Sequence, residues 1–153
     1  MKTLERIELL HPNLRSEARH IYEDICEALT GKAECIFTHT YRSNEEQNQL
    51  YAKGRTIAGK IVTNSRGSQS YHNYGLAIDI CFIIDGKVSY DTKKDFDGDG
   101  LADWMEVVRI FKSYGWEWGG DWKFLDLPHF QKTFGFSIKT LQKTKLIGGY
   151  PAL

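Results

Sequence analysis

The feature that most constrains the fold is an apolar run from Ala77 to Ile84 that contains a single acid, Asp79. The run has the length of one β-strand, and its apolar character predicts that the strand is buried. A buried carboxylate without a partner is costly in free energy. Asp79 must therefore accept hydrogen bonds, pair with a cation or bind a metal ion, and the fold has to bring that partner to it.

The composition favours a single domain over 1–153, large enough to form a core without disulfide bonds. The 20 basic residues balance the 20 acidic ones, so the chain has no general electrostatic attraction to nucleic acid or to an anionic membrane. No stretch reaches the roughly 20 apolar residues that span a bilayer. Three cysteines, an odd number without metal-ligand spacing, predict reduced thiols. We expect a monomer that recognises its partner at a local site.

Periodicity and turn signals predict an α+β fold, in which helices pack on a small antiparallel sheet. Ser43 and Glu46 form a capping box that begins one of the helices, and Asp85-Gly86 is typical of a hairpin turn. The predicted helices cover 13–29, 44–54, 101–114 and 137–143, and the predicted strands cover 35–41, 77–84, 87–90, 116–122 and 128–131.

Two of the five histidines have surroundings that suggest a metal site with Asp79. His72 lies seven residues before Asp79, a separation that would place the two on opposite faces of a straight strand. Gly75 allows the chain to turn between them. Together with His129 they would supply two imidazoles and one carboxylate, which leaves the fourth position of a tetrahedral Zn²⁺ open, as in a catalytic site. The alternative is that both histidines are structural and that Asp79 is an edge or salt-bridge residue.

Asp126 is a candidate general base beside this metal site. Pro128 forces Leu127 to be extended, which keeps Asp126 near His129 without placing both on one regular element. Asp126 would therefore be close to the metal without being a ligand.

Three sequence blocks follow one another in a specific order between residues 33 and 140. They are Tyr41-Arg42-Ser43-x-Glu45-Glu46-Gln47-x-x-Leu50-Tyr51 with Gly54-Arg55-Thr56, then Ser70-x-His72-x-x-Gly75-x-Ala77-x-Asp79, then Trp118-Gly119-Gly120-Asp121-Trp122 with Asp126-x-Pro128-His129-Phe130. In this order they resemble the LAS-type zinc peptidases, which include D-alanyl-D-alanine carboxypeptidases and dipeptidases and the L-alanyl-D-glutamate endopeptidases of phage endolysins. The Trp-Gly-Gly-Asp-Trp block indicates the L-alanyl-D-glutamate branch. Ser68, where a glycine is expected, is a small departure.

The resemblance implies a fold of the hedgehog and D-Ala-D-Ala peptidase type and a role for each matching residue. His72, Asp79 and His129 would bind zinc, and Asp126 would be the catalytic base. Arg42 would stabilise the transition state, whereas without the resemblance it is more simply interpreted as a surface charge.

The implied function is that of a phage-type endolysin that cleaves the L-alanyl-D-glutamate bond of peptidoglycan stem peptides. The near alternative is a D-alanyl-D-alanine carboxypeptidase or dipeptidase, and a second alternative is a catalytically inactive wall-binding relative. The N-terminus has no hydrophobic signal core, so we expect synthesis in the host cytoplasm and action on the bacterial wall. No nucleic-acid or membrane partner is expected.

A second metal motif lies at 95–106, where acids alternate before a predicted helix. The spacing matches the EF-hand calcium loop, with the turn glycine at position 6. The predicted ligands are Asp95, Asp97, Asp99, the carbonyl of Leu101, Asp103 and Glu106. The alternative is an acidic solvated loop before a capped helix, and a calcium-sensor protein is disfavoured because the loop is single. A bound Ca²⁺ would be structural or would act as a switch that activates the enzyme outside the cytoplasm.

Overall fold

The apolar run that contains Asp79 forms the central strand of a five-stranded antiparallel sheet in the computed structural model, which describes residues 1–153. The strands are β1 Glu34–His39, β2 Ala77–Ile84, β3 Lys87–Ser89, β4 Glu117–Trp118 and β5 His129–Gln131. Their order is β1-β2-β5-β4, and β3 pairs with the end of β2 as a hairpin. A separate two-stranded sheet near the C-terminus is formed by β6 Leu146–Ile147 and β7 Tyr150–Pro151.

Helices pack on one antiparallel sheet, which confirms the predicted α+β class. The α-helices are α1 Thr3–Ile7, α2 Pro12–Ala28, α3 Asn44–Ala52, α4 Asp103–Ser113 and α5 Ile138–Leu141, and two 3₁₀ turns cover Tyr71–Tyr74 and Gly119–Asp121. The capping box at Ser43 is present, since its hydroxyl accepts from Glu46 N and the Glu46 carboxylate accepts from Ser43 N. No helix is both long enough and apolar enough to cross a bilayer.

The core lies between the sheet and the two longest helices. The faces of α2 and α4 that contact it are largely apolar, because their buried residues recur at helical spacing. Phe111 of α4 stacks on Phe130 of β5 with ring centroids 4.0 Å apart, and Trp104 of α4 packs on Phe82 of β2 at 5.0 Å. Burial of each such aromatic side chain contributes about 1.5–3 kcal/mol to stability. These contacts fix α4 against the two strands that carry Asp79 and His129.

The prediction of a strand over 116–122 is wrong beyond Trp118. The chain leaves the sheet there because Gly119 and Gly120 form a 3₁₀ turn that packs against the segment before β5. A Cβ atom at Gly119 would lie 2.2 Å from the carbonyl oxygen of Asp126. The helix α1 and the C-terminal hairpin were not predicted, because elements of five and two residues are too short to show a period.

Gly75 connects the 3₁₀ turn at Tyr71–Tyr74 to β2 in a conformation that favours glycine. Its φ is +69°, in the left-handed region, and its carbonyl accepts a hydrogen bond from His11 N at 2.9 Å. A Cβ atom there would lie 2.5 Å from His11 N. The turn that the sequence predicts between His72 and Asp79 therefore has both a conformational and a packing reason to be glycine.

We expect Gly75→Ala to cost about 3 kcal/mol of unfolding free energy, because it adds a clash with the His11 backbone to the strain of a left-handed alanine. Gly86→Ala is the matched control. Gly86 has φ +77°, and a Cβ atom there would have no neighbour within 4 Å, so this variant should lose only about 1 kcal/mol. Urea denaturation of both variants measures the difference. Equal losses would show that the contact with His11 is unimportant.

Candidate active site

Asp79 lies in the middle of the sheet with a histidine directly opposite it on each neighbouring strand. In the register, Asp79 pairs with His39 of β1 on one side and with His129 of β5 on the other. Its Oδ1 lies 3.1 Å from His129 Nδ1, and its Oδ2 lies 3.2 Å from His72 Nε2. The two imidazoles lower the pKa of Asp79 well below its usual range, although burial alone would raise it. The acid is therefore ionised between its two partners.

His72 is held by the turn before β2 and presents one free nitrogen to Asp79. The residue is buried, and its Nδ1 lies 2.7 Å from the carbonyl oxygen of Thr40, which can only accept a hydrogen bond. That contact places the proton on Nδ1 and leaves a lone pair on Nε2. Nε2 is buried, and although it lies 3.2 Å from Asp79 Oδ2, the two atoms do not have the geometry of a hydrogen bond. An unpartnered buried nitrogen of this kind is suited to bind a metal ion.

His129 is oriented by Gln131, a side chain that drew no attention in the sequence. The Nε2 atom of His129 lies 2.9 Å from Gln131 Oε1, and Gln131 Nε2 donates to Glu117 Oε2 at 3.1 Å. The acceptor at Nε2 leaves Nδ1, which faces Asp79 Oδ1, as the nitrogen available to a metal ion. Burial lowers the pKa of His129, but the hydrogen bond with Asp79 raises it overall, so Nδ1 donates to Asp79 when no metal ion is bound. Gln131 follows His129 at strand spacing on the same face of β5, which is the signal that could have identified it.

The donor atoms of His72, Asp79 and His129 all lie within 4.8 Å of one another. Two imidazole nitrogens and one carboxylate oxygen fit a divalent ion such as Zn²⁺, with room for a fourth ligand. The unpartnered Nε2 of His72 is the observation that favours a metal over a purely hydrogen-bonded cluster, because a structural histidine would satisfy both nitrogens.

Asp126 lies next to this cluster but outside the group of three donors. Its Oδ2 is 3.9 Å from His129 Nδ1, and the carboxylate is half-exposed to the cleft. Burial raises the pKa of Asp126; His129 opposes this shift and Asp79 adds to it. Its backbone is fixed on both sides, because Asp126 N donates to Gly119 O and His129 N donates to Asp126 O. A carboxylate with a raised pKa in this position is suited to accept a proton.

Arg42 is a largely buried cation rather than a surface charge. Its Nη2 lies 3.9 Å from Asp79 Oδ2, and its Nη1 donates to Gln47 Oε1 at 3.0 Å. Gln47 of α3 is fully buried and donates in turn to the carbonyl of Ser65. In the sequence Gln47 stands out only as a member of the first block, whereas in the structure it positions the guanidinium beside the cluster.

One cleft with a volume of about 630 Å³ is lined by Arg42, His72, Asp79, Asp126, His129 and Gln131. His39, which the sequence did not mark as a site residue, also lines it with Nδ1 4.0 Å from Asp79 Oδ2, and burial lowers its pKa so that it is neutral at pH 7. Trp122 contacts the open side, with its ring centroid 5.4 Å from that of His129. The cleft therefore joins a metal-type donor set, a carboxylate and a cation in a space large enough for a peptide segment.

Comparison with known proteins places this arrangement among peptidases. Residues 63–132, which include His72, Asp79, Asp126 and His129, match the family model described as D-alanyl-D-alanine carboxypeptidase. The chain is 45% identical over 125 residues to the peptidoglycan L-alanyl-D-glutamate endopeptidase CwlK of Bacillus subtilis, covering 80% of this chain and 72% of that protein. It is 26% identical to the L-alanyl-D-glutamate peptidase of Listeria phage A118, covering 93% of this chain and 45% of that protein.

Two solved structures share the fold. The L-Ala D-Glu endopeptidase ChiX of Serratia marcescens superposes with a TM-score of 0.57 at 24% identity, covering 87% of each chain. The vancomycin-resistance D,D-dipeptidase VanXYg, solved with a D-Ala-D-Ala phosphinate analogue, superposes with a TM-score of 0.53 at 23% identity, covering 88% of this chain and 58% of that one. At this identity they establish a common architecture for the sheet and its helices.

Gln131→Ala should weaken zinc binding about 10–100-fold, because His129 would lose the acceptor that fixes its tautomer and ring orientation. Competition against a chromophoric zinc chelator measures the affinity. Gln142→Ala is the control, since that exposed glutamine bonds only to Ser68 and does not line the cleft. Unchanged zinc affinity in the Gln131 variant would mean that the hydrogen bond does not support the site.

Proposed function

The chain belongs to the D-alanyl-D-alanine carboxypeptidase family of metallopeptidases, and on that basis we propose that it is a zinc endopeptidase that hydrolyses the L-alanyl-D-glutamate bond of peptidoglycan stem peptides. The observation that carries the proposal is the convergence of His72, Asp79 and His129 on one point of a cleft that also holds Asp126. The 45% identity to a peptidoglycan L-alanyl-D-glutamate endopeptidase supports the choice of bond.

We assign the zinc ligands as His72 Nε2, a carboxylate oxygen of Asp79 and His129 Nδ1. Zinc bound there would lower the pKa of a water ligand to about 7 and polarise the scissile carbonyl. The protein prepares for it with the Thr40 carbonyl and Gln131, which leave the correct nitrogen of each imidazole free. The carboxylate of Asp79 would offset part of the ion's charge.

Asp126 and Arg42 would perform the steps that belong to the protein. Asp126 accepts a proton from the attacking water and then transfers it to the amine of the leaving D-glutamyl residue. Arg42, held by Gln47, lies where its guanidinium can stabilise the negative charge that develops on the carbonyl oxygen. The raised pKa of Asp126 supports this role, because a carboxylate with an ordinary pKa is a weak base.

A D-alanyl-D-alanine carboxypeptidase is the second candidate, because the family model itself has that description. The products distinguish the two activities. Digestion of purified wall by an L-alanyl-D-glutamate endopeptidase exposes a new amino group on D-glutamate, whereas a carboxypeptidase releases free D-alanine. Detection of D-alanine alone would overturn the proposed bond specificity while leaving the metallopeptidase class intact.

We further propose that the enzyme acts in bacterial lysis as a phage-type endolysin. The similarity to the peptidase of Listeria phage A118 supports this role. Expression inside a bacterium together with a membrane-permeabilising protein tests it, and the expected result is lysis that depends on both. Lysis with an Asp126→Asn variant would instead indicate that wall binding, not hydrolysis, is responsible.

His129→Ala should lose zinc and wall hydrolysis together, because it removes one of three protein ligands. His20→Ala is the matched control, since His20 is exposed on α2 and away from the cleft. Metal content by elemental analysis and the hydrolysis rate are measured on the same samples. Full zinc content in the His129 variant would contradict the ligand assignment.

Asp126→Asn should keep its zinc and its stability but lower the hydrolysis rate about 10²–10⁴-fold, because the amide cannot accept the proton. Asp121→Asn provides the comparison within the same segment, since Asp121 pairs with Lys112 on the surface at 2.7 Å and does not line the cleft. A rate near that of the wild type in the Asp126 variant would assign the base to another residue.

A further inference from the structure

The segment 95–106 forms a loop between β3 and α4 whose backbone folds around its own acids. Asp95, the first of them, accepts hydrogen bonds from Gly98 N at 2.7 Å and Gly100 N at 2.8 Å. Both glycines have positive φ, at +74° and +90°. The loop therefore curls so that alternate side chains face one centre, and Asp103 and Glu106 enter from the first turn of α4.

The burial of Asp103 is an observation independent of that loop geometry. The residue is fully buried, and only one of its two carboxylate oxygens accepts a hydrogen bond. Its Oδ1 accepts from Phe96 N at 2.8 Å, whereas its Oδ2 is buried and has no partner. Glu106 Oε2 is likewise buried without a partner. A solvated acidic loop would expose these oxygens to water, so a simple surface loop does not account for them.

The acids form two overlapping groups. One oxygen each from Asp95, Asp97 and Asp99 lie within 4.8 Å of one another, and the same is true of Asp97, Asp103 and Glu106. Oxygens on opposite sides of one Ca²⁺ are about 5 Å apart, since each Ca–O distance is about 2.3–2.6 Å.

We propose that this loop binds one Ca²⁺ and that the ion fixes the start of α4. The ligands are the carboxylates of Asp95, Asp97, Asp99, Asp103 and Glu106, with the Leu101 carbonyl as a backbone ligand. Oxygen donors alone, without histidine or cysteine, favour a hard cation over zinc. The large number of carboxylates favours Ca²⁺ over Mg²⁺, which keeps several of its waters.

The loop contacts other parts of the fold, so binding of Ca²⁺ to the loop affects those parts as well. It lies against the turn between α2 and β1, where a Cβ atom at Gly31 would be 2.8 Å from Phe96 O. Next to Asp103, Trp104 packs on Phe82 of β2. Two turns further along α4, Phe111 stacks on Phe130, which adjoins His129. A fixed start of α4 therefore supports both strands of the proposed zinc site.

Calorimetric titration of the zinc-loaded enzyme with CaCl₂ tests the binding. The expected result is one Ca²⁺ per chain, with a melting temperature several degrees higher when the site is saturated. Glu106→Gln and Asp97→Asn should each weaken binding at least tenfold. Glu27→Gln, an exposed acid on α2, should change nothing. No binding by the wild type at millimolar Ca²⁺, or unchanged binding in both loop variants, would overturn the proposal.

Hydrogen exchange tests the effect on α4 in the same samples. Saturating Ca²⁺ should slow amide exchange in 103–113 of the wild type but not of Glu106→Gln, and exchange in α2 serves as the internal control. The hydrolysis rate at constant zinc should rise with loop occupancy. If neither amide exchange in 103–113 nor the hydrolysis rate responds to Ca²⁺, the proposed effect of the ion on α4 is overturned. Because calorimetry needs no substrate, failure of calcium binding is distinguishable from failure of the proposed peptidase activity.

Discussion

The placement of a carboxylate in the centre of the sheet governs how the whole site is built. Asp79 lies on β2 between two other strands, where an isolated charge would destabilise the fold. The imidazoles of His72 and His129 approach its two oxygens from different elements. The pair of contacts keeps the acid ionised and, at the same time, gathers three donor atoms around one point. The two histidines that stabilise the charge of Asp79 are thus the same residues that form the metal-type site with it.

The orientation of the donors comes from groups that are not donors themselves. The Thr40 carbonyl and the Gln131 side chain each occupy the outer nitrogen of one histidine. Two glycines set the backbone around them: Gly75 turns the chain between His72 and Asp79, and Gly119 allows the close approach of the Asp126 carbonyl. The contacts of Thr40, Gly75 and Gly119 each connect segments that are distant in the chain, and Gln131 is itself held by Glu117 of β4, so the fold orients the ligands and the base before a metal or substrate arrives.

The two groups of acidic residues differ in how the fold compensates their charge. In the cleft, histidines and Arg42 surround Asp79, so positive partners are built into the protein. In the 95–106 loop, no basic side chain pairs with the buried oxygens of Asp103 and Glu106. The carboxylate in the cleft therefore has protein partners in addition to the proposed zinc ion, whereas the buried loop oxygens have no basic partner, which favours an external cation there. The aromatic stack of Phe111 on Phe130 connects the helix that begins at the loop to the strand of the cleft.

Features that depend on neighbours along the chain were predictable from the amino-acid sequence. The apolar run of β2, the capping box at Ser43 and the Asp85-Gly86 hairpin follow from local periodicity and turn chemistry, and the structure has all three. Motif spacing grouped His72, Asp79, His129 and Asp126, whereas Arg42 was proposed as a site residue only through the resemblance to the zinc peptidases. The folded chain was needed to show which imidazole nitrogen faces the centre, that Gln131 and Gln47 hold the site residues, that His39 joins the cleft and that Asp103 is buried. Those properties depend on strand register and on contacts between distant segments, and no local pattern encodes either.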